Sequence, residues 1–587
     1  MARLSIAALT FSITATLLGR PAHAYDPAPV AARHGMVVSA QALASAAGLD
    51  MLAQGGNAVD AAVAVGYALA VVYPAAGNLG GGGFMLIRSA DGASRFVDFR
   101  EKAPSAATPG MFLDADGNVA KGRSTDTWLA VGVPGTPAGL EAVRARYGKL
   151  PRAAVMAPAI RLARDGFILT AADLTLIRLR TDALAKDPAA AAIFVPHGHK
   201  LEVGDRLFQT DLAHSLELLS AQGPDALYRG PIGDAIAAVS AADGGILQKT
   251  DFEAYKIREM APVTCTYRGW TIQSSPPPSS GGTVICEILD ILEGYHLRAM
   301  GFHSAAEIHV MVEAMRHAFL DRNAQLGDPD FVANPVAHLL DKNYAAAIRA
   351  QIDPARATPS SDLHPDTPPH EGNNTTQFSV VDADGTAVSV TYTLNDWFGI
   401  ARVAPGTGIL LNNEMDDFTS KPGSPNMFGL IQGAANAVAP GKTPLSSMSP
   451  TIISRDGKTA MVIGSPGGPR IITITLEAIL NVIDHGMTIQ EAIDAPRIHH
   501  QWMPDTVYLE RFALSPDTRA LLEQRGYTFT ESAPWGVAEG IVVGAPRLTP
   551  TGFGSVQSLN LGVPDLPGAT LYGAHDPRGP AGGAAGK

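Results

Sequence analysis

Two threonines, Thr375 and Thr393, sit in the run TTQFSVVDADGTAVSVTYTL (375–394) at a spacing that suits acyl transfer. A threonine hydroxyl is a weak nucleophile and needs a base. A cut before Thr375 would supply one, because an α-amine with a pKa of about 7.7–8.0 is partly neutral at physiological pH. Asp384-Gly385 is a hairpin turn signal. On either side of it the even positions are apolar (Phe378, Val380, Val388, Val390, Tyr392), while Thr375, Gln377, Ser379, Ser389, Thr391 and Thr393 are odd. Folding the run about Asp384 sets Thr375 opposite Thr393, with Cβ atoms roughly 4.5–5.5 Å apart. The Thr393 hydroxyl could then hold Thr375 in an attacking rotamer. On pattern alone, two surface threonines in an ordinary strand is the plainer account, and a bulge would slip the register. The preceding segment, 354–374, is rich in Pro, Ser, Asp and His and reads as a linker or mobile tail, a natural place for a cut.

Other groups could complete such a site. Residues 460–486 read as a strand (Ala460 to Ile463), a glycine turn and a helix ending near Gly486. Backbone N–H groups of Gly467 and Gly468 at that turn can face a developing oxyanion. NNEMDDF (412–418) offers Glu414, Asp416 and Asp417, and PLSSMSP (444–450) offers Ser446 and Ser447. With Arg100 from FVDFREKAP they could bind an amino-acid head group, the carboxylate to Arg and Ser and the ammonium to the acids. Read singly, these are loop residues and caps.

The elements that must carry these groups belong to a chain of 587 residues, 46% hydrophobic, ample for a large core. A net charge of −12 and a pI near 5.7 argue against nucleic-acid partners. Arg3, the apolar run Leu4 to Leu18 and Ala22-His23-Ala24 read as a signal peptide over 1–24 that is cut after Ala24, which predicts a periplasmic or secreted protein with no membrane attachment after signal removal. Asn57 to Val72 reads as a buried helix and 306–322 as an amphipathic one. The cluster Gly77 to Gly83, before a strand Phe84 to Arg88, reads as close backbone packing, since it lacks a phosphate-loop ending. Cys265 and Cys286 are free to pair in an oxidising compartment, with two buried thiols the plainer reading. His499-His500 reads as structural, no histidine spacing suggests a metal, and the final PRGPAGGAAGK reads as disordered.

Taken together, GGNAVDAAVA (55–64), GNLGGGGFM (77–85), DFREKAP (98–104), PPSSGG (277–282), TTQFSVVD (375–382), TYTLN (391–395), GILLNNEMDDF (408–418), PLSSMSPTI (444–452), GSPGG (464–468) and APRIHHQW (495–502) resemble the γ-glutamyltransferase family of N-terminal nucleophile hydrolases across nearly the whole chain. The resemblance implies an α+β fold, a four-layer αββα sandwich. It also implies self-cleavage between Asn374 and Thr375, giving an intertwined large (25–374) and small (375–587) subunit. It makes Thr375 the nucleophile, Thr393 its hydroxyl partner, and Gly467 and Gly468 the oxyanion donors. Arg100, Ser446 and Ser447 would take the substrate carboxylate; Asn395, Glu414 and Asp417 would take its ammonium, with Asn395 resting on the resemblance alone. Glutathione and other γ-glutamyl compounds are the implied donors, water, amino acids or dipeptides the acceptors, and no metal or organic cofactor is implied. Phe428, in the lid-like segment 421–436, stands where the family often has a gating tyrosine, and Asp396-Trp397 is a second local departure. A glutaryl or cephalosporin acylase on the same scaffold, or a binding protein on an inactive one, are the alternatives.

Overall fold

Thr376–Asp382 and Ala387–Thr393 form the expected antiparallel hairpin, with Thr376 opposite Tyr392 and Gln377 opposite Thr391. The computed structural model that contains it describes residues 28–363, 375–549 and 566–587. The signal peptide read at 1–24, Asn374 and the stretch 364–374 lie outside the described residues.

The hairpin is the centre of one seven-stranded sheet, in the order Gly583–Gly586, Gly35–Ser39, Thr376–Asp382, Ala387–Thr393, Gly82–Arg88, Ser94–Asp98, Arg258–Met260. A second seven-stranded sheet runs Val30–Ala32, Leu571–His575, Glu539–Val543, Lys458–Ile463, Thr451–Arg455, Trp270–Ser274, Val263–Tyr267. Each sheet therefore mixes strands from both sides of residue 374. The apolar even face of the hairpin, with Phe378, Val380, Val390 and Tyr392, packs on the helix Ala58–Val72. Between the sheets lie Met36, Val38, Phe84, Leu86, Ile452, Val462 and Ile541. The outer face of the second sheet packs on helices Gly281–Leu292, Ala305–Gln325 and Arg470–Ile483. Helix, sheet, sheet and helix give the four-layer αββα sandwich.

The odd face of the hairpin is not at the surface. Gln377, Ser379, Ser389 and Thr391 are fully buried. Their polar groups are satisfied inside the sandwich: Ser379 Oγ donates to the Glu539 carbonyl at 2.8 Å, Ser389 Oγ to that of Ile463 at 3.2 Å, and Thr391 Oγ1 to Gln377 Oε1 at 2.6 Å. Hydrogen bonding to the opposite sheet lets small polar residues fill a core layer.

Three further expectations change. The final run is not disordered: Gly583–Gly586 pairs with Gly35–Ser39, and Ser45 Oγ donates to the Gly583 carbonyl at 2.7 Å. Only small residues fit, since a Cβ on Gly586 would come 2.6 Å from that of Ala32, so the strand has no hydrophobic alternation to read. In the expected linker, Ser360–Leu363 is a short helix whose Ser360 is buried, donating from Oγ to the Trp502 carbonyl and from N to Asp505. Cys265 and Cys286 are not free thiols but a disulfide that ties the strand Val263–Tyr267 to the helix Gly281–Leu292. The bridge spans 21 residues. Replacing both cysteines by serine is expected to lower unfolding free energy by about 3 kcal/mol on the chain-entropy account of such a loop. Urea melts check this, and an unchanged midpoint would show the bridge to be passive.

The glycine cluster is close packing, as expected. A Cβ on Gly77, Gly80 or Gly81 would fall 2.2, 2.2 and 2.1 Å from the carbonyl oxygens of Leu69, Leu410 and Thr393. His499 and His500 are buried, with His499 bonded to Thr473 and Gln501; burial pushes His500 down to about 4. No helix among the described residues is long and apolar enough to cross a membrane.

Candidate active site

Thr375 sits at the open end of the hairpin, 4% exposed, and its Oγ1 donates to Thr393 Oγ1 at 3.4 Å. Thr393 Oγ1 also accepts from the Asn395 backbone N at 2.8 Å, which fixes the partner hydroxyl. The strand end is held from behind, where Asn78 Nδ2 donates to the Thr393 carbonyl at 2.8 Å and Thr136 Oγ1 holds Asn78 Oδ1. Asn395 adopts φ +73°, a left-handed conformation that Asn tolerates better than most residues. Its Nδ2 donates to the Asn413 carbonyl at 2.9 Å.

One small pocket is lined by Thr375, Thr393, Asn395, Arg100, Glu414, Asp417, Ser446, Ser447 and Gly468. Gly467 faces the neighbouring cavity instead. Gly467 and Gly468, at φ +143° and +55°, make the turn before the helix Arg470–Ile483, a backbone path that disfavours any side chain. Asp416, offered by sequence, is not in the pocket. It accepts from Ser124 Oγ at 2.6 Å and from the Met427 N at 2.9 Å, and so anchors the lid segment. Phe428 and Leu430 of that segment line the pocket.

Arg100 does not stand apart from the acids. Its guanidinium touches Glu414 at 2.6 Å and Asp417 at 2.5 Å, and its Nε donates to the Pro444 carbonyl at 3.0 Å. Arg100 and Glu414 are each 1% exposed. Burial raises Glu414 well above the usual carboxylate range, against the pull of Arg100. Burial likewise pushes the adjacent Glu101 up to about 8, against the pull of Arg100. Burial also raises Asp417, opposed by Arg100.

Arg322 was not singled out by sequence. It lies in the helix Ala305–Gln325, 1% exposed, and lines the same pocket. Its Nη2 donates to Ser447 Oγ at 3.0 Å, its Nε to Ser280 Oγ at 2.9 Å and its Nη1 to Asn323 Oδ1 at 2.7 Å. All three partners are neutral. Burial lowers its pKa to about 10, so it stays charged at neutral pH. Ser446 is held by its backbone, which donates to the Pro278 carbonyl and accepts from Ser280. The arrangement can place a hydroxyl nucleophile beside a turn of backbone N–H groups, with a buried cluster of both charges a short way off, which suits an acyl group bearing a zwitterionic head.

Comparison with known proteins agrees. The family model described as gamma-glutamyltranspeptidase matches residues 44–582. A glutathione hydrolase proenzyme of Pseudomonas sp. (strain A14) is 57% identical, covering 95% of each chain. One from Escherichia coli (strain K12) is 49% identical over 94% of this chain and 91% of its own. An "Acylase ACY 1 proenzyme" of Pseudomonas sp. (strain V22) is 40% identical over 86% and 88%. Among solved structures, a cephalosporin acylase from Bacillus halodurans superposes with a TM-score of 0.81 at 26% identity, covering 97% of this chain and 99% of its own. A gamma-glutamyltranspeptidase from Helicobacter pylori gives 0.54 at 43% identity over 55% and 93%.

Proposed function

Because the chain belongs to the gamma-glutamyltranspeptidase family, we propose that Thr375, once freed at its N-terminus, is the nucleophile with which it cleaves and transfers γ-glutamyl groups. The enzyme is a glutathione hydrolase and γ-glutamyltransferase, made as a proenzyme and processed to two subunits, here 25–374 and 375–587. Export by the segment 1–24 puts it in the periplasm or outside the cell.

In the precursor, Thr375 Oγ attacks the Asn374 carbonyl, the peptide C–N bond breaks, and water opens the resulting ester to leave a free α-amine on Thr375. In the mature enzyme that amine takes the hydroxyl proton as Oγ attacks the γ-glutamyl carbonyl. The oxyanion is stabilised by the N–H groups of Gly467 and Gly468, each such donor being typically worth about 10²–10³ in rate. Collapse expels the amine, which takes the proton, and leaves a γ-glutamyl ester. Water then releases glutamate, or an amine takes the glutamyl group. The observation that carries this reading is the Thr375–Thr393 hydroxyl pair on the pocket that also holds the charged cluster.

Asn395, Glu414 and Asp417 receive the substrate ammonium, and Arg100, Ser446 and Ser447 the carboxylate. Since Arg100 already meets two acids, Arg322 adds the positive charge that the carboxylate lacks, and it orients the Ser447 hydroxyl. Arg322→Met is expected to cost about 1.5–3 kcal/mol of binding, or about 10–100-fold in KM, the value of a hydrogen bond to a charged group. A 4-aminobutyryl donor, which has no α-carboxylate, separates this role from a structural one. Equal losses on both donors would count against it.

Acylase activity is the second reading, favoured by the likeness to acylases in sequence and fold. The acids at 414 and 417 weigh against it, because buried carboxylates suit a donor that brings an ammonium. Rates on γ-glutamyl- and glutaryl-p-nitroanilide decide the matter, and faster glutaryl cleavage would reverse the assignment.

A further inference from the structure

Asn395 can serve an ammonium only when its amide is turned the right way. The Asn413 carbonyl, which can only accept, takes one hydrogen of Asn395 Nδ2 at 2.9 Å. The other goes to Met427 Sδ, 3.7 Å from the same nitrogen. The carbonyl decides which way the amide faces, and the sulfur fixes its plane about that bond. With both N–H bonds engaged, Oδ1 is the group left for the pocket that Asn395 lines. An ammonium has three donors and no acceptor, so this is the orientation it needs.

The backbone around Met427 is tied down. Its own N donates to Asp416 Oδ2 at 2.9 Å. Asn426 Oδ1 accepts from the N of Phe428 and of Leu430 at 3.0 and 3.1 Å, and Asn426 Nδ2 donates to Asp417 Oδ1 at 3.4 Å. The stretch that presents the sulfur is thus fastened to two acids, one of which, Asp417, lines the pocket with Asn395. Met427 is nevertheless half-buried, whereas Met448, which lines the pocket, and Met415, beside Glu414, are 2% and 1% exposed. An oxidant in solution therefore reaches the sulfur that holds Asn395 ahead of the two sulfurs packed behind it.

We propose that Met427 is a positioning residue for the substrate ammonium and a site of reversible oxidation, at which a hydroperoxide weakens donor binding by converting the thioether to a sulfoxide. The inference rests on the γ-glutamyl transfer reading above. In the oxidation a sulfur lone pair attacks one oxygen of the hydroperoxide, the O–O bond breaks, the S–O bond forms, and the departing oxygen keeps both protons as water when the oxidant is hydrogen peroxide. Sulfur gives up two electrons and the peroxide takes them. The product is polar where the thioether was apolar, and a reductase can reverse it. An oxygen placed on the lone pair that faces Asn395 has no room at the present separation of sulfur and nitrogen. An oxygen on the other lone pair draws density from the sulfur and ends its use as an acceptor. Both outcomes free the Asn395 amide plane and take Oδ1 from its place.

The test uses the processed enzyme, treated with graded hydrogen peroxide and assayed on γ-glutamyl-p-nitroanilide, with oxygen addition at each methionine followed by peptide mass spectrometry. As Met427 sulfoxide accumulates, KM is expected to rise about tenfold, the lower end for a hydrogen bond to a charged group, while kcat changes by less than about twofold. Methionine sulfoxide reductase should restore KM. Met427→Leu keeps the bulk but offers no acceptor, so its KM should start about threefold higher and then ignore peroxide. Full oxidation of Met427 with KM unchanged overturns the inference. So does a Met427 that stays unoxidised while Met300 and Met503, also half-buried, are converted. Wild type alone decides both, whether or not the variant matures. An equal response to peroxide in wild type and in a matured Met427→Leu overturns it as well. No release from the untreated enzyme would remove the functional reading, whereas normal release with a KM that peroxide leaves alone removes this inference only.

Discussion

Thr375→Ala is expected to run as one uncut band on a denaturing gel and to lose γ-glutamyl release by about 10⁶-fold, the scale seen when a nucleophile that works as a unit with its base is removed. Both losses have one origin. On the proposed mechanism the same hydroxyl attacks the Asn374 carbonyl in the precursor and the substrate in the mature enzyme. Without the first attack no α-amine forms, and without the hydroxyl there is nothing to deprotonate. The substitution removes little packing, since the residue is small and sits at the lip of a pocket, so folding should be near normal. Thr375→Ser keeps the hydroxyl and should still cut, more slowly. N-terminal sequencing of wild type should give a fragment beginning Thr-Thr-Gln-Phe. Two normal fragments from Thr375→Ala would end the assignment.

Asp417→Asn is expected to lower kcat/KM on γ-glutamyl donors by about 10²-fold, which is about 2.7 kcal/mol and within the range for a charged hydrogen bond. Glutaryl donors, which bring no ammonium, should lose far less. Asn is chosen over Ala because it keeps the shape. Truncation would leave Arg100 with one acidic partner, and breaking a buried pair typically costs about 3–5 kcal/mol regardless of substrate. The contrast between donors is the decisive readout. Equal losses would mean that Asp417 serves only to hold Arg100, with which it is in contact at 2.5 Å.

Much of this was legible before any coordinates. The hairpin register follows from a period of two and a two-residue turn signal, and the observed pairing of Gln377 with Thr391 is the one that alternation demands. The family likeness then supplied Asn395, which no local pattern marks. What sequence hid was mostly long-range. The odd face of the hairpin looked exposed because its residues are polar, whereas the carbonyls that satisfy them belong to strands some 75 to 160 residues away. The closing Gly-Ala strand was invisible because the tightness of its neighbours excludes the side chains that would have announced it. Arg322 left a faint signal. It lies seven residues after Met315 and fourteen after Ile308, on the stripe of its helix that carries core residues. A cation at such a position calls for an explanation, and here the pocket gives one. Pairing of Cys265 with Cys286 depends on a strand meeting a helix, which spacing does not encode.

The alternation of strands from before and after residue 374 within both sheets has a consequence for the life of the mature molecule. A nick at that point severs the backbone but opens no seam, because neither product owns a complete seven-stranded sheet. The fragments are therefore not partners that associate and part. Fragments cut there would share both sheets, and separating them would mean unravelling both. On the proposed cut, a mature molecule once unfolded is expected not to refold, having lost the tether that joins strands of the same sheet.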